Sequence, residues 1–230
     1  MKSDSPEGLL LVDKPAGITS HDVVDRARRA YGERSVGHLG TLDPFATGLL
    51  LVLVGRSTRL ATFLGIEPKV YEAMISFGAE TDTDDSTGEV TRSAPPPAEA
   101  DVRAAVVTLT GDIMQVPPAY SAKKVAGKRA YEAARAGEDL ELAPARVSVH
   151  GWDIESFASD SLAATITCGG GTYIRALARD LGRASGSAAH LASLRRTRIG
   201  AFDVSDAVSA DDLIAAPPPL KRLEVTVAPD

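Results

Sequence analysis

The chain has 230 residues, of which 44% are hydrophobic, and it carries a formal net charge of -6 at pH 7. This length suits one large domain or two small ones. No apolar run approaches the roughly 20 residues that a membrane span needs, and the polar start of the chain lacks the apolar region of a signal peptide. The single cysteine, Cys168, excludes an internal disulfide, so we expect a reducing, cytoplasmic setting.

Apolar periodicity and turn residues predict alternating strands and helices. In chain order, the predicted strands cover 9–12, 48–54, 70–77, 146–157 and 161–168, and the predicted helices cover 19–31, 58–64, 98–109, 129–136 and 172–184. Thr19 or Ser20 can cap the first helix, Gly32 can end it, and Thr172 can cap the last one. Strands and helices interleave without a strict βαβ rhythm, which favours an α+β fold over a doubly wound sheet.

The run 37–44, with the sequence GHLGTLDP, holds the carboxylate of Asp43 at a bend. Gly40 allows backbone angles that other residues avoid, and Pro44 keeps Asp43 out of the helical region. A carboxylate constrained in this way suits a catalytic group. An aspartate before proline can equally close a turn, so local chemistry alone leaves both interpretations open.

Charge is unevenly distributed along the chain. Residues 169–200 contain six arginines and one acid, Asp180, whereas residues 80–112 contain eight acids and two arginines. Arg175, Arg179 and Arg183 recur every four residues, which places them on one face of the predicted helix. Such a basic face could contact RNA phosphates on an otherwise acidic protein. The alternative is a solvated stripe, partly paired with Asp180.

The sequence predicts neither a metal nor a cofactor. The alternation of Asp82, Asp84 and Ser86 suggests a calcium loop, but its sixth and twelfth positions hold Thr87 and Ser93 in place of Gly and Glu. The four histidines have no ligand spacing. The glycines 169–171 do not form a dinucleotide fingerprint, and they lack the lysine of a P-loop.

The run 37–44 resembles the catalytic motif of the TruB family of tRNA pseudouridine synthases, Gly-His-x-Gly-Thr/Ala-Leu-Asp-Pro. Other segments are similar to further motifs of that family and occur in the same order: 13–20, 81–88, 120–132, 171–175 and 194–196. The resemblance covers roughly residues 8–200. Several motifs in register make a chance agreement implausible.

The resemblance implies the pseudouridine synthase fold, an α+β fold with a central mixed or antiparallel sheet flanked by helices. It implies one catalytic domain over 1–230, with a thumb-like insertion at about 119–147 and a short acidic tail at about 205–230. Many members continue into a C-terminal RNA-binding (PUA) domain. The tail is too short for that domain, so we expect none here.

The implied activity is an isomerisation of the T-loop uridine at tRNA position 55 to pseudouridine, without a cofactor. The target base must leave its stack for this chemistry. The implied partner is the T arm of tRNA, and we expect a monomer that requires no protein partner. Two alternatives remain: a synthase of this fold that acts on other RNA, and a non-catalytic protein that binds or folds tRNA.

The resemblance also implies roles for individual residues. Asp43 is the catalytic carboxylate, Arg175 pairs with it and keeps it ionised, and Tyr71 stacks on the uracil close to the chemistry. Whether Asp43 attacks C1′, adds to C6 or removes a ribose proton stays open. The other substrate-binding residues are His38, Tyr173, Leu194 and Lys14. The residues expected to contact the RNA backbone are Lys123, Lys124, Lys128, Arg129, Arg179, Arg195 and Arg196.

Overall fold

The computed structural model describes residues 5–121, 124–125, 128–129 and 142–223. They form two compact units. Unit 1 combines the residues up to Lys69 with those from Arg195 onward, and unit 2 runs from Val70 to Leu194. The single catalytic domain expected over 1–230 stays a prediction.

The elements alternate between strands and helices, as the sequence predicts. The strands are β1 (Gly8–Lys14), β2 (Val36–Leu39), β3 (Thr47–Val54), β4 (Lys69–Phe77), β5 (Ala79–Thr81), β6 (Val90–Ser93), β7 (Gly111–Gln115), β8 (Lys124–Val125), β9 (Lys128–Arg129), β10 (Ala145–Ala158), β11 (Ser161–Cys168), β12 (Ala189–Ile199), β13 (Phe202–Asp203) and β14 (Val208–Ser209). The helices are α1 (Ser20–Tyr31), α2 (Glu99–Thr108) and α3 (Ile174–Ala184), with 3-10 turns at Gly55–Leu60 and Val204–Asp206.

Unit 1 is built around a mixed sheet whose strand order is β14-β1-β3-β12. β3 runs antiparallel to β1 and parallel to β12, and β2 also pairs with β3. Both faces of β3 are buried, which explains its unbroken apolar run. Leu50 and Val52 lie in one core cluster with Val23 and Val24 of α1, while Leu51 belongs to the cluster on the opposite face.

The sheet of unit 2 has the strand order β12-β4-β11-β10-β7. β10 and β11 form a long antiparallel hairpin, and β7 is antiparallel to β10. The predicted alternation of β4 is confirmed, because Tyr71, Ala73, Ile75 and Phe77 are buried while Glu72 is exposed. α2 and α3 pack against each other. The predicted α+β class with a mixed sheet is therefore confirmed.

The predicted boundaries of α1 are confirmed by its caps. The Thr19 hydroxyl accepts a hydrogen bond from the Asp22 backbone N–H at 3.1 Å, and the Asp22 carboxylate accepts one from the Thr19 N–H at 2.7 Å. This reciprocal pair is a capping box. Gly32 ends the helix with a left-handed φ of 62°.

Two helix predictions need correction, and a third is tested only in part. The helix expected at 58–64 is a 3-10 turn at Gly55–Leu60, where the Thr58 hydroxyl donates to the Gly55 carbonyl and so favours a tight turn. Thr172 does not cap α3, since the N-cap residue is Tyr173. Arg129, expected to begin a helix, lies in β9, and 130–136 fall outside the described residues.

Within the described ranges, no helix combines the length and apolar character that crossing a membrane would require.

Candidate active site

The loop between β2 and β3 carries Asp43. Gly40 opens it with a left-handed φ of 70°, the conformation that its sequence position predicts. The Ala46 N–H donates to the Asp43 carbonyl at 3.1 Å, and the Gly17 N–H donates to the Pro44 carbonyl at 2.8 Å. The Asp43 side chain is half-buried. The backbone of this carboxylate is therefore fixed while its side chain remains in reach of solvent.

Ser20, in the first turn of α1, holds the residue just before Asp43. Its hydroxyl accepts the Leu42 N–H at 2.9 Å and donates to the Leu42 carbonyl at 3.1 Å. Both residues are buried. Sequence reasoning considered Ser20 only as a helix cap and missed this contact, although its place in the motif 13–20 was a signal for a role beyond capping.

Lys14, at the end of β1, is fully buried with 0% exposure. Its ammonium donates to the carbonyls of Pro15 at 2.9 Å, Ile18 at 2.9 Å and Pro44 at 3.4 Å. Burial lowers the pKa of Lys14 from 10.5 to about 8, although the nearby Asp43 carboxylate opposes the shift. These contacts link the end of β1 to the Asp43 loop, and the predicted binding of substrate by Lys14 stays a prediction.

Arg196, in β12, binds both the Asp43 loop and β3 inside unit 1. Its side chain is 1% exposed, Nε donates to the Leu49 carbonyl at 2.8 Å, and Nη2 donates to the Gly40 carbonyl at 2.8 Å. The guanidinium is thus buried and engaged with the backbone, and the predicted contact between Arg196 and an RNA phosphate stays a prediction. The pattern of basic residues gave no sign of this internal use.

The two other predicted site residues of unit 1 are His38 and Arg195. His38 lies opposite Val52 in the β2–β3 pair, and burial together with the charge of Arg196 lowers the pKa of its imidazole. Arg195 makes a bidentate ion pair with Asp13, with N–O distances of 3.1 and 2.7 Å. Its side chain remains partly exposed, so its RNA contact stays a prediction.

Unit 2 fixes Arg175 in the first turn of α3. The side chain is 4% exposed. Nη1 donates to the Thr83 carbonyl at 2.8 Å, Nη2 donates to the Tyr120 carbonyl at 2.9 Å, and the Asp85 carboxylate lies 3.7 Å from Nη1. Two loops of unit 2 therefore determine the orientation of this guanidinium.

The two following arginines of α3 also pair inside unit 2. Arg179, 8% exposed, donates to the Asp84 carboxylate at 2.8 Å. Arg183 holds both carboxylate oxygens of Glu80, at 3.0 and 2.6 Å. Burial raises the pKa of Asp84 to about 6, with Arg179 opposing the shift. The acidic segment around 80–85 takes up much of this basic face, and the predicted contact of Arg179 with RNA stays a prediction.

The remaining predicted residues lie in unit 2. Tyr71 is buried in β4, Tyr173 is the N-cap of α3, and Leu194 is a buried residue of β12. Lys123 lies outside the described residues. The backbones of Lys124, Lys128 and Arg129 belong to the short antiparallel pair of β8 and β9. The predicted contacts of these residues with RNA stay predictions.

In the described part of the chain, no three His, Cys, Asp or Glu side chains come together as a metal site would require.

Solved structures with the same fold define the class. A Cbf5-Nop10-Gar1 complex matches with a TM-score of 0.69 and 27% identity, covering 90% of this chain and 54% of that one. An archaeal box H/ACA sRNP Nop10-Cbf5 complex matches with a TM-score of 0.66 and 28% identity, covering 90% and 53%. The chain spans about half the length of these structures. Its fold is that of a pseudouridine synthase, which confirms the predicted fold.

Sequence comparison gives the family. The N-terminal domain of the TruB family of pseudouridylate synthases matches residues 28–174, and the C-terminal domain of tRNA pseudouridylate synthase B matches residues 175–222. The tRNA pseudouridine synthase B of Thermobifida fusca (strain YX) is 51% identical, covering 91% of this chain and 75% of the relative. That of Arthrobacter sp. (strain FB24) is 48% identical, covering 90% and 70%. The chain belongs to the TruB family of pseudouridylate synthases and is an isomerase.

Proposed function

We propose that this chain isomerises the T-loop uridine at position 55 of tRNA to pseudouridine, with Asp43 as the catalytic carboxylate. The observation that carries the proposal is how the Asp43 loop is held. Three side chains of unit 1 bind the backbone of this loop: Lys14 from β1, Ser20 from α1 and Arg196 from β12. Because these contacts involve the loop backbone, the carboxylate is placed by the fold and needs little reorganisation for the reaction.

The proposed reaction breaks the bond between ribose C1′ and uracil N1 and forms a bond between C1′ and C5. The proton on C5 is lost and N1 ends protonated, so atoms and electrons balance without an oxidant, a reductant or an energy source. The uridine must first leave its stack, which costs a few kcal/mol. A fixed carboxylate beside the extruded nucleotide supplies the nucleophile or base that this sequence of steps requires.

Residues of unit 2 support the proposal through their own rigidity. Arg175 donates to the carbonyls of Thr83 and Tyr120, so the position and orientation of its guanidinium are fixed within that unit. Tyr71 is buried in β4 and Tyr173 is half-buried, and stacking of a base on either ring would be worth about 1–3 kcal/mol. The pairing of Arg175 with Asp43 and the stacking on Tyr71 stay predictions.

The T arm is the part of tRNA that we propose the protein grips. Arg179, Arg183 and Arg196 are engaged inside their own units, and the net charge is -6. Few cations therefore remain to contact RNA. We propose that they are the basic residues of the insertion at about 119–147 together with Arg195. With so few phosphates neutralised, the affinity should have a shallow dependence on salt.

The test uses an unmodified tRNA transcript incubated with the protein in the absence of any cofactor, followed by mapping of pseudouridine. We expect modification at position 55 alone. The matched control is a transcript in which cytidine replaces uridine 55, which should still bind but gain no pseudouridine. Binding without modification of the natural transcript, or modification only in another RNA, would overturn the proposal.

A T-arm stem-loop provides a second arm of the test. It should bind within about tenfold of whole tRNA, equivalent to about 1.4 kcal/mol. Whole tRNA that binds a hundredfold more tightly would show that the protein also relies on contacts beyond the T arm.

A further inference from the structure

The segment 115–121, which we call the strap, leads from β7 into the predicted insertion and runs along α3 inside unit 2. Its two prolines, Pro117 and Pro118, are buried and have no backbone N–H to offer. The strap is instead attached through its carbonyls. Arg179 donates to the Val116 carbonyl at 2.8 Å, and Arg175 donates to the Tyr120 carbonyl at 2.9 Å. The strap and α3 are therefore tied at successive turns of the helix.

Gln115 makes a further tie, in which a side chain of the strap binds the backbone at the N-cap of α3. The side chain is 1% exposed. Its Nε2 donates to the Tyr173 carbonyl at 3.1 Å, and its Oε1 accepts the Tyr173 N–H at 2.9 Å. Tyr173 has extended angles, φ -99° and ψ 110°. In this conformation the N–H and C=O of one residue point the same way, so the amide of Gln115 pairs with them as a neighbouring strand would.

This pairing acts on the N-cap residue itself, whereas an ordinary cap side chain binds the N–H groups of the first helical turn. Tyr173 is the N-cap of α3, and no side-chain cap hydrogen bond is made there by Tyr173 itself. Its carbonyl also accepts the first helical bond, from the Leu177 N–H at 3.1 Å. Gln115 therefore sets the direction in which the helix leaves Tyr173, two residues before Arg175.

We propose that Gln115 is a positioning residue for the isomerisation: it holds the backbone from which the Tyr173 side chain and the first turn of α3, with Arg175, project. The inference rests on the proposed function, since the placement of Tyr173 and Arg175 matters for catalysis only if they serve that reaction. A displacement of about 1 Å in such groups can lower a rate by about 10²-fold. Substrate affinity, which is spread over the RNA contacts, should change little.

The test compares two substitutions of similar size at this position. Gln115→Met removes both hydrogen bonds, while Gln115→Glu keeps the acceptor for the Tyr173 N–H and offers a donor to the carbonyl only when protonated. The control is Ser187→Ala, which removes a hydrogen bond from a fully buried hydroxyl to the Pro95 carbonyl in the same unit. Single-turnover rates and binding constants are measured on a T-arm stem-loop, with folding at each pH checked by circular dichroism.

We expect Gln115→Met to lower the single-turnover rate by about tenfold to a hundredfold, with stem-loop binding within about threefold of wild type. Ser187→Ala should lose stability but keep the wild-type rate. The rate of Gln115→Glu relative to wild type should rise as the pH falls from 8 to 6, because the neutral acid restores both bonds. A purely structural role would not produce this pH-dependent recovery in protein that is folded throughout.

Gln115→Met with a rate within about threefold of wild type, or with rate and binding lost in equal measure, would overturn the inference, as would a Gln115→Glu rate that follows the wild-type pH profile. Failure of the proposed function is distinguishable, since the wild-type protein would then form no pseudouridine in the same assay.

Discussion

Gly48 offers a sharp test of how β3 and β12 support the Asp43 loop. It has a φ of 103°, and a Cβ built there would overlap the backbone oxygen of Arg196 and lie 2.7 Å from its nitrogen. The strained backbone costs about 1–3 kcal/mol for a residue other than glycine. The overlap with main-chain atoms, which cannot rotate away, adds about 1–3 kcal/mol. We expect Gly48→Ala to lower the free energy of unfolding by about 2–6 kcal/mol, against a typical total of about 5–15 kcal/mol.

The matched control is Gly37→Ala in β2, where a Cβ would meet nothing within 4 Å and φ is not positive. Alanine there should be neutral, or stabilising by about 0.4–1 kcal/mol through the unfolded chain. Urea unfolding followed by circular dichroism measures both variants, and pseudouridine formation is assayed where each is folded. Because Arg196 also donates to the Gly40 carbonyl, Gly48→Ala should slow the reaction as well. A Gly48→Ala variant whose free energy of unfolding lies within about 1 kcal/mol of wild type would show that this position tolerates a side chain.

Three further predictions concern side chains of unit 1. Arg196→Met should cost about 1–3 kcal/mol for the buried Leu49 carbonyl that loses its donor, and less for the part-buried Gly40 carbonyl, measured by urea unfolding; an unchanged midpoint would contradict this. For Lys14, the folded pKa of about 8 lies below the ordinary lysine value of 10.5, so the unfolded chain binds more protons between these two pH values. The stability of wild type relative to Lys14→Met should therefore rise between pH 8 and 10.5, whereas a flat difference would show that the pKa is ordinary. Thr19→Ala removes one half of the capping box with Asp22 and should cost about 1 kcal/mol, which a thermal melt would detect.

Local patterns predicted the parts of the fold that depend on neighbouring residues. The cap of α1 at Thr19, its end at Gly32 and the alternation of β4 each require only the chemistry of a few adjacent positions. The prediction that Thr172 caps the last helix was wrong, because the N-cap of α3 is Tyr173. The backbone of Tyr173 is held by Gln115, which is 58 residues away in the sequence. The capping propensity of a threonine cannot show that a side chain from a distant strand binds the start of the helix.

The arginines show the same limit at the candidate site. Their spacing placed Arg175, Arg179 and Arg183 on one helix face, but spacing does not show what that face meets. The partner of Arg179 is Asp84, 95 residues away, and the partner of Arg183 is Glu80. The sequence separated the acidic and basic segments clearly, and the fold brings them together inside unit 2. Asp43 was easier to find, because its constraint is local and its motif is characteristic.

The most direct test of the central claim replaces Asp43 by asparagine and measures both pseudouridine formation and tRNA binding. Asp160→Asn is the matched control, since Asp160 is an exposed aspartate at the β10–β11 turn. We expect Asp43→Asn to lower the single-turnover rate by at least about 10²-fold while tRNA affinity and the unfolding midpoint stay near wild type. Asp160→Asn should change none of the three. A tenfold change in rate corresponds to about 1.4 kcal/mol in the barrier. A rate for Asp43→Asn within about tenfold of wild type would contradict the assignment of Asp43 as the catalytic carboxylate.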